Sequence, residues 1–264
     1  MSLTNLKRIE LASEWNSKCG ERLADRWPDF VDYSARLETE GPFLLHLVNK
    51  YGSRVLDAAM GIGCESIFLA ENHARVVGNE INPRFRRAAR LYTRHTNASL
   101  KVTSIDWRNL GKVYAEGNFD IVLVLGNSLC LLQHSRDRRR SVMNFVAVCE
   151  KGGVVVVDER NFGYIQRYRA QILNGDFRYG GRVMYCGQTI AGYPVAIDSD
   201  CVQFAYEDVE KKVVLGYLDM YPFAEGELVD LFHQAGCTCV ELYSDLSPGY
   251  DEKADFYTYV FRKD

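Results

Sequence analysis

Residues 54–63 read Arg-Val-Leu-Asp-Ala-Ala-Met-Gly-Ile-Gly. Val55 and Leu56 predict the end of a buried strand, and Asp57 sits where that strand stops. Gly61 and Gly63 allow a tight turn that brings backbone close to a ligand, because glycine has no Cβ. The segment from Cys64 to Glu71 reads as a helix with Ile67, Phe68 and Ala70 to bury. Strand, Gly-x-Gly turn and helix make up the nucleotide-binding half of a doubly wound sheet.

Two ligand classes use such a turn. A dinucleotide site wants a third glycine three residues after Gly63, and Ser66 stands there. S-adenosylmethionine (SAM) has no phosphate and needs close backbone approach plus an acid for its ribose hydroxyls. Glu80 ends the next apolar run, Ala74 to Gly78, and is placed to accept both hydroxyl protons. A Gly-x-Gly turn alone fits any α/β protein; strand, turn, helix, second strand and acid together favour SAM.

Composition sets the outer bounds. With 264 residues, 47% hydrophobic and 25% charged, the chain fits one large globular domain or a domain with an insertion. A net charge of −3 gives no reason to expect nucleic acid or an anionic membrane as partner. No apolar run approaches the roughly 20 residues that span a bilayer, and Met1–Leu11 lacks a signal-peptide core. The eight cysteines are scattered, and Cys237 and Cys239 alternate on an expected strand. No second Cys or His pair lies at ligand spacing, so no metal is expected and a reduced, cytoplasmic protein is.

Along the chain, Ile9, Leu11, Ala12 and Trp15 predict a helix over 8–26. The aromatic and acidic stretch around Trp27 and Phe30 reads equally as a packed lid or as a flap over the site, with Arg36 just beyond it. Helices are expected over 37–50 and 83–97, the second with Pro83 at its start. Leu100–Ile105 predicts a strand followed by Asp106-Trp107. There a carboxylate can bind an adenine amine and a Trp can pack on its ring, or the Trp simply plugs the core. Phe119–Leu125 is a strand apolar on both faces, as in a parallel sheet, and runs into Gly126-Asn127-Ser128. Arg136, Arg138, Arg139 and Arg140 read as a solvated helix face. After the strand Gly152–Asp158 comes Arg160, which can hold a carboxylate bidentately or pair with Asp158 or Glu159.

From Phe177 to Tyr221 apolar and polar residues alternate (Val183, Tyr185; Val202, Phe204, Tyr206; Val214, Leu218, Met220). This predicts three or four antiparallel strands inserted over the pocket. Glu225–Ala235 reads as a helix, and Cys237–Tyr243 with Phe256–Phe261 as a closing antiparallel pair. The expected fold is α/β: a doubly wound, mostly parallel seven-stranded sheet with a small antiparallel sheet inserted. The expected divisions are 1–40 (helix and flap), 41–175 (SAM-binding core), 176–222 (insert) and 223–264 (completion of the core sheet).

Six motifs carry a resemblance: Arg-Trp-x-x-Phe with Ala-Arg-x-Glu-x-Glu-Gly (26–41), Val-Leu-Asp-x-Ala-x-Gly-x-Gly (55–63), Asp-Trp (106–107), Leu-Gly-Asn-Ser (125–128), Asp-x-Arg-Asn-Phe (158–162) and Asp-Phe-Tyr (255–257). With them the chain resembles the class I SAM-dependent methyltransferases, Rossmann-like in fold, and among them the glycine/sarcosine N-methyltransferases. The resemblance implies that Arg36 holds the methionyl carboxylate, Ala59 and Gly61 lie under the methionine, Glu80 takes the ribose, and Asp106 and Trp107 take the adenine. It implies that Asn127 meets the acceptor amine and Arg160 the acceptor carboxylate, with Tyr185 and Tyr221 as pocket tyrosines. The expected cofactor shell also includes Trp27, Phe30, Asp57, Gly63, Ile81 and Leu125. Departures fall near the acceptor: Leu-Cys-Leu-Leu at 129–132 and Glu159; Met60 and Ile62 also differ from the family turn. The implied activity is methyl transfer to a small amino acid such as glycine or sarcosine, in a possible homo-oligomer. The rivals are another small-molecule amine and a SAM-binding regulator without turnover.

Overall fold

A computed structural model describes residues 23–94, 96, 99–175 and 189–264. The large sheet comprises β1 (Arg54–Asp57), β2 (Arg75–Asn79), β3 (Lys101–Thr103), β4 (Phe119–Val124), β5 (Cys149–Arg160), β9 (Cys237–Ser244), β10 (Ser247–Pro248) and β11 (Phe256–Lys263). Its order is β10-β9-β11-β5-β4-β1-β2-β3. β3, β2, β1, β4 and β5 run parallel, and β11 and β9 close it antiparallel. These are the seven expected strands; β10 is a two-residue return onto the edge of β9. The inserted sheet has β6 (Ile190–Ile197), β7 (Val202–Asp208) and β8 (Val213–Met220), all antiparallel.

Period-two alternation divides the central strands between two cores. Ile121, Leu123, Val154 and Val156 join Val55 on one face, under Phe43, Leu44 and Leu47 of α2 (Tyr33–Tyr51) and Leu69 of α3 (Cys64–Glu71). Val122, Val124, Val155 and Val157 join Leu56 on the other. That face lies under Val142 and Phe145 of α5 (Ser135–Val148) and Leu228 and Phe232 of α8 (Glu227–His233). Apolar residues on successive positions of β4 and β5 are therefore what two helical layers require. The remaining described helices are α1 (Trp27–Phe30), α4 (Pro83–Thr93), α6 (Phe162–Arg167) and α7 (Arg169–Asn174).

Most boundaries fall close to expectation, and the differences have local causes. The helix expected over 8–26 and Tyr185 lie outside the described residues, except that Leu23 and Ala24 are helical and buried. α2 begins at Tyr33, because the Asp32 carboxylate caps it by accepting from Ala35 N. It therefore runs unbroken across the expected division at 40/41. β5 begins at Cys149 rather than Gly152. A register shift against β4 admits the extra residues, and Gly152, at φ +77, turns the chain there.

Gly153 sits where this shifted strand crosses β4, and a Cβ on it would lie 2.5 Å from the Asp120 carbonyl oxygen. Neighbouring Gly152 faces open space, so alanine there meets only the φ penalty of about 1–2 kcal/mol. Gly153→Ala is expected to cost at least ~2 kcal/mol and lower Tm by about 4–8 °C, more than Gly152→Ala. Thermal melts of the two variants side by side check this; equal losses would show that β4 gives way.

Candidate functional site

The parallel strands end on one edge of the sheet, and the loops that leave them build the site. After β1, the turn holds Gly61 at φ +54 and Gly63 at φ +89, where glycine is the residue without strain. A Cβ at Gly61 would meet nothing within 4 Å, so the turn presents bare backbone to an open space. Ser66, where a dinucleotide site wants glycine, donates its hydroxyl proton to Asp57 at 2.6 Å. Burial, helped by the neighbouring Glu65 carboxylate, pushes the Asp57 carboxyl up to about 7.

Glu80 follows β2 and reaches back to the glycine turn. Its carboxylate accepts from Gly61 N at 3.1 Å and from Asn82 N at 2.6 Å. Burial raises it to about 7, against the opposing pull of those two amides. Asn79 ties the strand ends together: its amide donates to the Ala58 and Ile105 carbonyls, and its carbonyl accepts from Ile105 N and Thr103 Oγ1. From α2, buried Arg36 donates from Nε to Glu40 at 2.6 Å and pairs with Glu65 at 3.0 Å. One guanidinium thus bridges two buried carboxylates of different helices.

The loop after β4 is fixed by β5. Asp158 accepts from Gly126 N at 2.9 Å and Asn127 N at 2.6 Å. That pair holds Asn127 in the left-handed region at φ +57, a conformation that costs energy and persists only where its surroundings impose it. The Asn127 side-chain Oδ1 then accepts from Arg160 N at 3.0 Å, and its Nδ2 points at Met220 Sδ, 3.3 Å away. The Arg160 guanidinium lies 4.7 Å from the ring centres of both Phe204 and Phe256. Both distances are within cation–π range, and Arg160 also lines the site cavity.

Trp27, Arg36, Asp57, Ala59, Gly61, Glu80, Ile81, Leu125, Asn127 and Arg160 line a cavity of about 420 Å³, within the range of small-molecule sites. Tyr33, Glu65, Phe85, Leu131, Tyr206, Leu218 and Met220 also line it and are not among the expected site residues, although the 129–132 stretch was expected near the acceptor and the strands of the last three over the pocket. The alternation of β7 and β8 carried the signal for Tyr206, Leu218 and Met220: it defines an inner face without saying what that face covers. For Tyr33, Glu65 and Phe85 nothing local marks them, because their helices meet only in the fold.

Other expected residues stand off the cavity wall. Phe30 is a second row, its ring 5.0 Å from Trp27 and 5.1 Å from Tyr206. Gly63 caps α3 and is not in the wall. Asp106 accepts from Arg108 N and binds the Arg108 guanidinium, whose hydrogen bonds hold the carboxyl below its ordinary range. Trp107 donates its indole N–H to the Ala58 carbonyl at 2.7 Å and packs edge-on against Phe145 in the core. Tyr221 is not in the cavity wall. Its hydroxyl meets the Glu227 carboxylate at 2.8 Å, and its ring lies under the Arg138 guanidinium at 3.4 Å. That last contact corrects the reading of 136–140 as a solvated face. Arg136, Arg139 and Arg140 are exposed, but Arg138 is 4% exposed. It points inward because it donates to the Leu132 and Gln133 carbonyls, which end a short 3₁₀ turn (Leu129–Leu131) with no helical partners.

No helix among the described residues is long and apolar enough to cross a membrane. Among them, no group of three or more His, Cys, Asp or Glu side chains could hold a metal ion.

Residues 55–153 match the family model described as a methyltransferase domain. A glycine/sarcosine N-methyltransferase of Parasynechococcus marenigrum (strain WH8102) is 31% identical over 92% of this chain and 84% of its own. One from Halorhodospira halochloris is 29% identical over 91% and 87%. Among solved structures, the CcbJ methyltransferase of Streptomyces caelestis superposes with a TM-score of 0.68 at 17% identity, over 93% of this chain and 97% of that one.

Behind Arg160, on the opposite face of β5, Glu159 accepts from the Tyr259 hydroxyl at 3.0 Å. Its other carboxylate oxygen is buried and has no hydrogen-bond partner among the described residues. Burial pushes Glu159 up to about 8, against an unfolded value of about 4.3. The folded protein therefore holds a proton that the unfolded chain releases. The stabilisation is full below about pH 4.3 and is lost as pH rises through about 8. Glu159→Gln cannot ionise, so its Tm relative to the parent is expected to climb steadily between pH 5 and pH 9. Parallel pH–Tm curves would place the proton elsewhere.

Proposed function

The chain belongs to the glycine/sarcosine N-methyltransferase family of SAM-dependent methyltransferases, and from that premise we propose that it methylates the amine of a small α-amino acid. The observation that carries the acceptor assignment is Arg160, whose guanidinium lies at the cavity wall 4.7 Å from the ring centres of Phe204 and Phe256. A planar fork at the cavity wall suits a carboxylate. The rival of a SAM-binding protein without turnover gives no purpose to such a fork beside Asn127.

The residues at the other end of the cavity fit SAM. The open space over Gly61 admits a ligand against bare backbone. Glu80, already oriented by Gly61 N and Asn82 N, keeps acceptor capacity for ribose hydroxyls. Arg36 is the cation for a methionyl carboxylate, and the Glu40 and Glu65 carboxylates fix where its charge sits. Asp57, Ala59, Ile81 and Leu125 complete this end, and Trp27 closes it from α1. When bound, SAM supplies a methyl group already activated by its sulfonium.

What the protein adds is position. Arg160 holds the acceptor by its carboxylate, the Asp158–Asn127 turn sets the distance from that carboxylate to the methionyl end, and Trp27, Tyr33 and Tyr206 keep water out. Converting an encounter into a held geometry contributes several kcal/mol. The amine reacts as the neutral base, so no residue is assigned as a dedicated general base. In this reading 1–40 close the site, 41–175 hold the cofactor, 176–222 cover the acceptor and 223–264 complete the sheet. A reducing compartment such as the cytoplasm suits the buried free thiols Cys130, Cys149 and Cys237.

Because Glu80 sits at about 7 and must be ionised to accept two hydroxyl protons, SAM binding expels a proton below that pH. Affinity is expected to weaken as pH falls from 7 to 5, by up to about tenfold per unit. Glu80→Gln should bind SAM about 1–3 kcal/mol more weakly at pH 8 and lose most of that slope. Calorimetry across pH decides it; the same slope in both proteins would assign the proton to another group, such as Asp57.

Lysine offers a point charge without the fork. Arg160→Lys is therefore expected to raise the acceptor's KM at least about tenfold, roughly 1.4 kcal/mol, while SAM affinity barely changes. An acceptor without a carboxylate, methylated equally well by both proteins, would exclude an amino-acid acceptor.

A further inference from the structure

We infer that the acceptor carries an aliphatic side chain, and that Leu131, Leu218 and Met220 select it; the inference rests on the amino-acid reading above. The inner face of the inserted sheet sets the surroundings of Arg160. Phe204, which covers one side of the guanidinium, is paired across the strands with Leu218, and Val202 with Met220. Leu218 and Met220 both reach the cavity, and Leu131 joins them from the 3₁₀ turn. That turn and β8 are one rigid piece. Tyr221 N donates to the Cys130 carbonyl at 2.8 Å, and the Gln133 amide donates to the Asp219 carbonyl at 2.9 Å.

The polar groups nearby are turned onto the framework. The Asn127 carboxamide accepts from Arg160 N and points its amide at Met220 Sδ. The Ser128 hydroxyl donates to the Leu125 carbonyl, and the Cys130 thiol to the Asn127 carbonyl. Among the described residues, Leu131, Leu218 and Met220 therefore give this part of the wall methyl and thioether surface, with the Tyr206 ring also lining the cavity. A carboxylate gripped by Arg160 puts its α-carbon beside that wall. Glycine has nothing there to bury, and its complex leaves apolar surface facing trapped water. An alkyl side chain covers it, at roughly fourfold in affinity per buried methylene. This accounts for Leu-Cys-Leu-Leu at 129–132, which the cofactor site does not use.

The test measures kcat/KM by S-adenosylhomocysteine release from the full chain, with glycine, sarcosine, L-alanine, L-2-aminobutyrate and L-valine as acceptors and propylamine as the carboxylate-free control. The expected result is at least one side-chain-bearing amino acid tenfold or more above both glycine and sarcosine. Met220→Thr should shrink that ratio at least threefold, with Leu131→Thr as the second variant if Met220→Thr does not fold by circular dichroism. A preference under tenfold, or a ratio unmoved in a folded variant, overturns the inference and leaves amino-acid methylation standing. Turnover of propylamine without any amino acid, or of no acceptor at all, overturns both.

Discussion

The site depends on one buried carboxylate. Asp158 stands on β5 and accepts the amide protons of Gly126 and Asn127, the second and third residues beyond the end of the neighbouring strand β4. Burial pushes it up to about 6, which measures how strongly this environment resists the charge. Satisfying two backbone donors away from water is worth more than either bond would be at the surface, because an unmet donor there carries the full desolvation cost. The turn it holds puts Asn127 in a left-handed conformation and aims its side-chain Oδ1 at Arg160 N. The loop after β4 and the arginine after β5 thereby become one unit.

The end of the cavity at the glycine turn is built on the opposite balance, with more carboxylates than cations. Glu40 and Glu65 are buried against Arg36, and Asp57 and Glu80 share the cavity wall with it. Asp57 and Glu80 both rise to about 7. Proteins tolerate such crowding when some of the acids keep protons, and the result is a site whose charge follows pH near neutrality. A ligand bringing hydroxyl donors and an ammonium, as SAM does, meets acceptors already in place.

The inserted sheet contributes more than cover. Its Phe204 ring lies 4.7 Å from the Arg160 guanidinium, and through Leu218, Met220 and Tyr206 it forms wall. Arg138 anchors the joint between this sheet and the core by holding the carbonyls after the 3₁₀ turn and stacking on Tyr221. A single arginine thus couples α5 to the 3₁₀ turn and to the residue that follows β8 without lining the cavity.

The sequence by itself determined the frame. Period-two alternation, the apolar runs of β4 and β5, and the Gly-x-Gly turn are local signals, and each placed its strand or helix within a few residues. The same signals marked Asp57, Gly61, Glu80, Asn127 and Arg160, because residues at the carboxyl ends of parallel strands converge whatever the loops do. The tertiary structure alone decided which aromatic and charged residues face the cavity. Arg138 reads as one cation in an exposed run and is buried, since only the fold brings it carbonyls in need of donors. Trp107 and Tyr221 have the composition of ligand contacts, yet their polar atoms go to Ala58 and Glu227. Glu65 and Arg36 become neighbours only when α3 packs on α2. A side chain's partner lies on another element, and chain-local periodicity says nothing about which one.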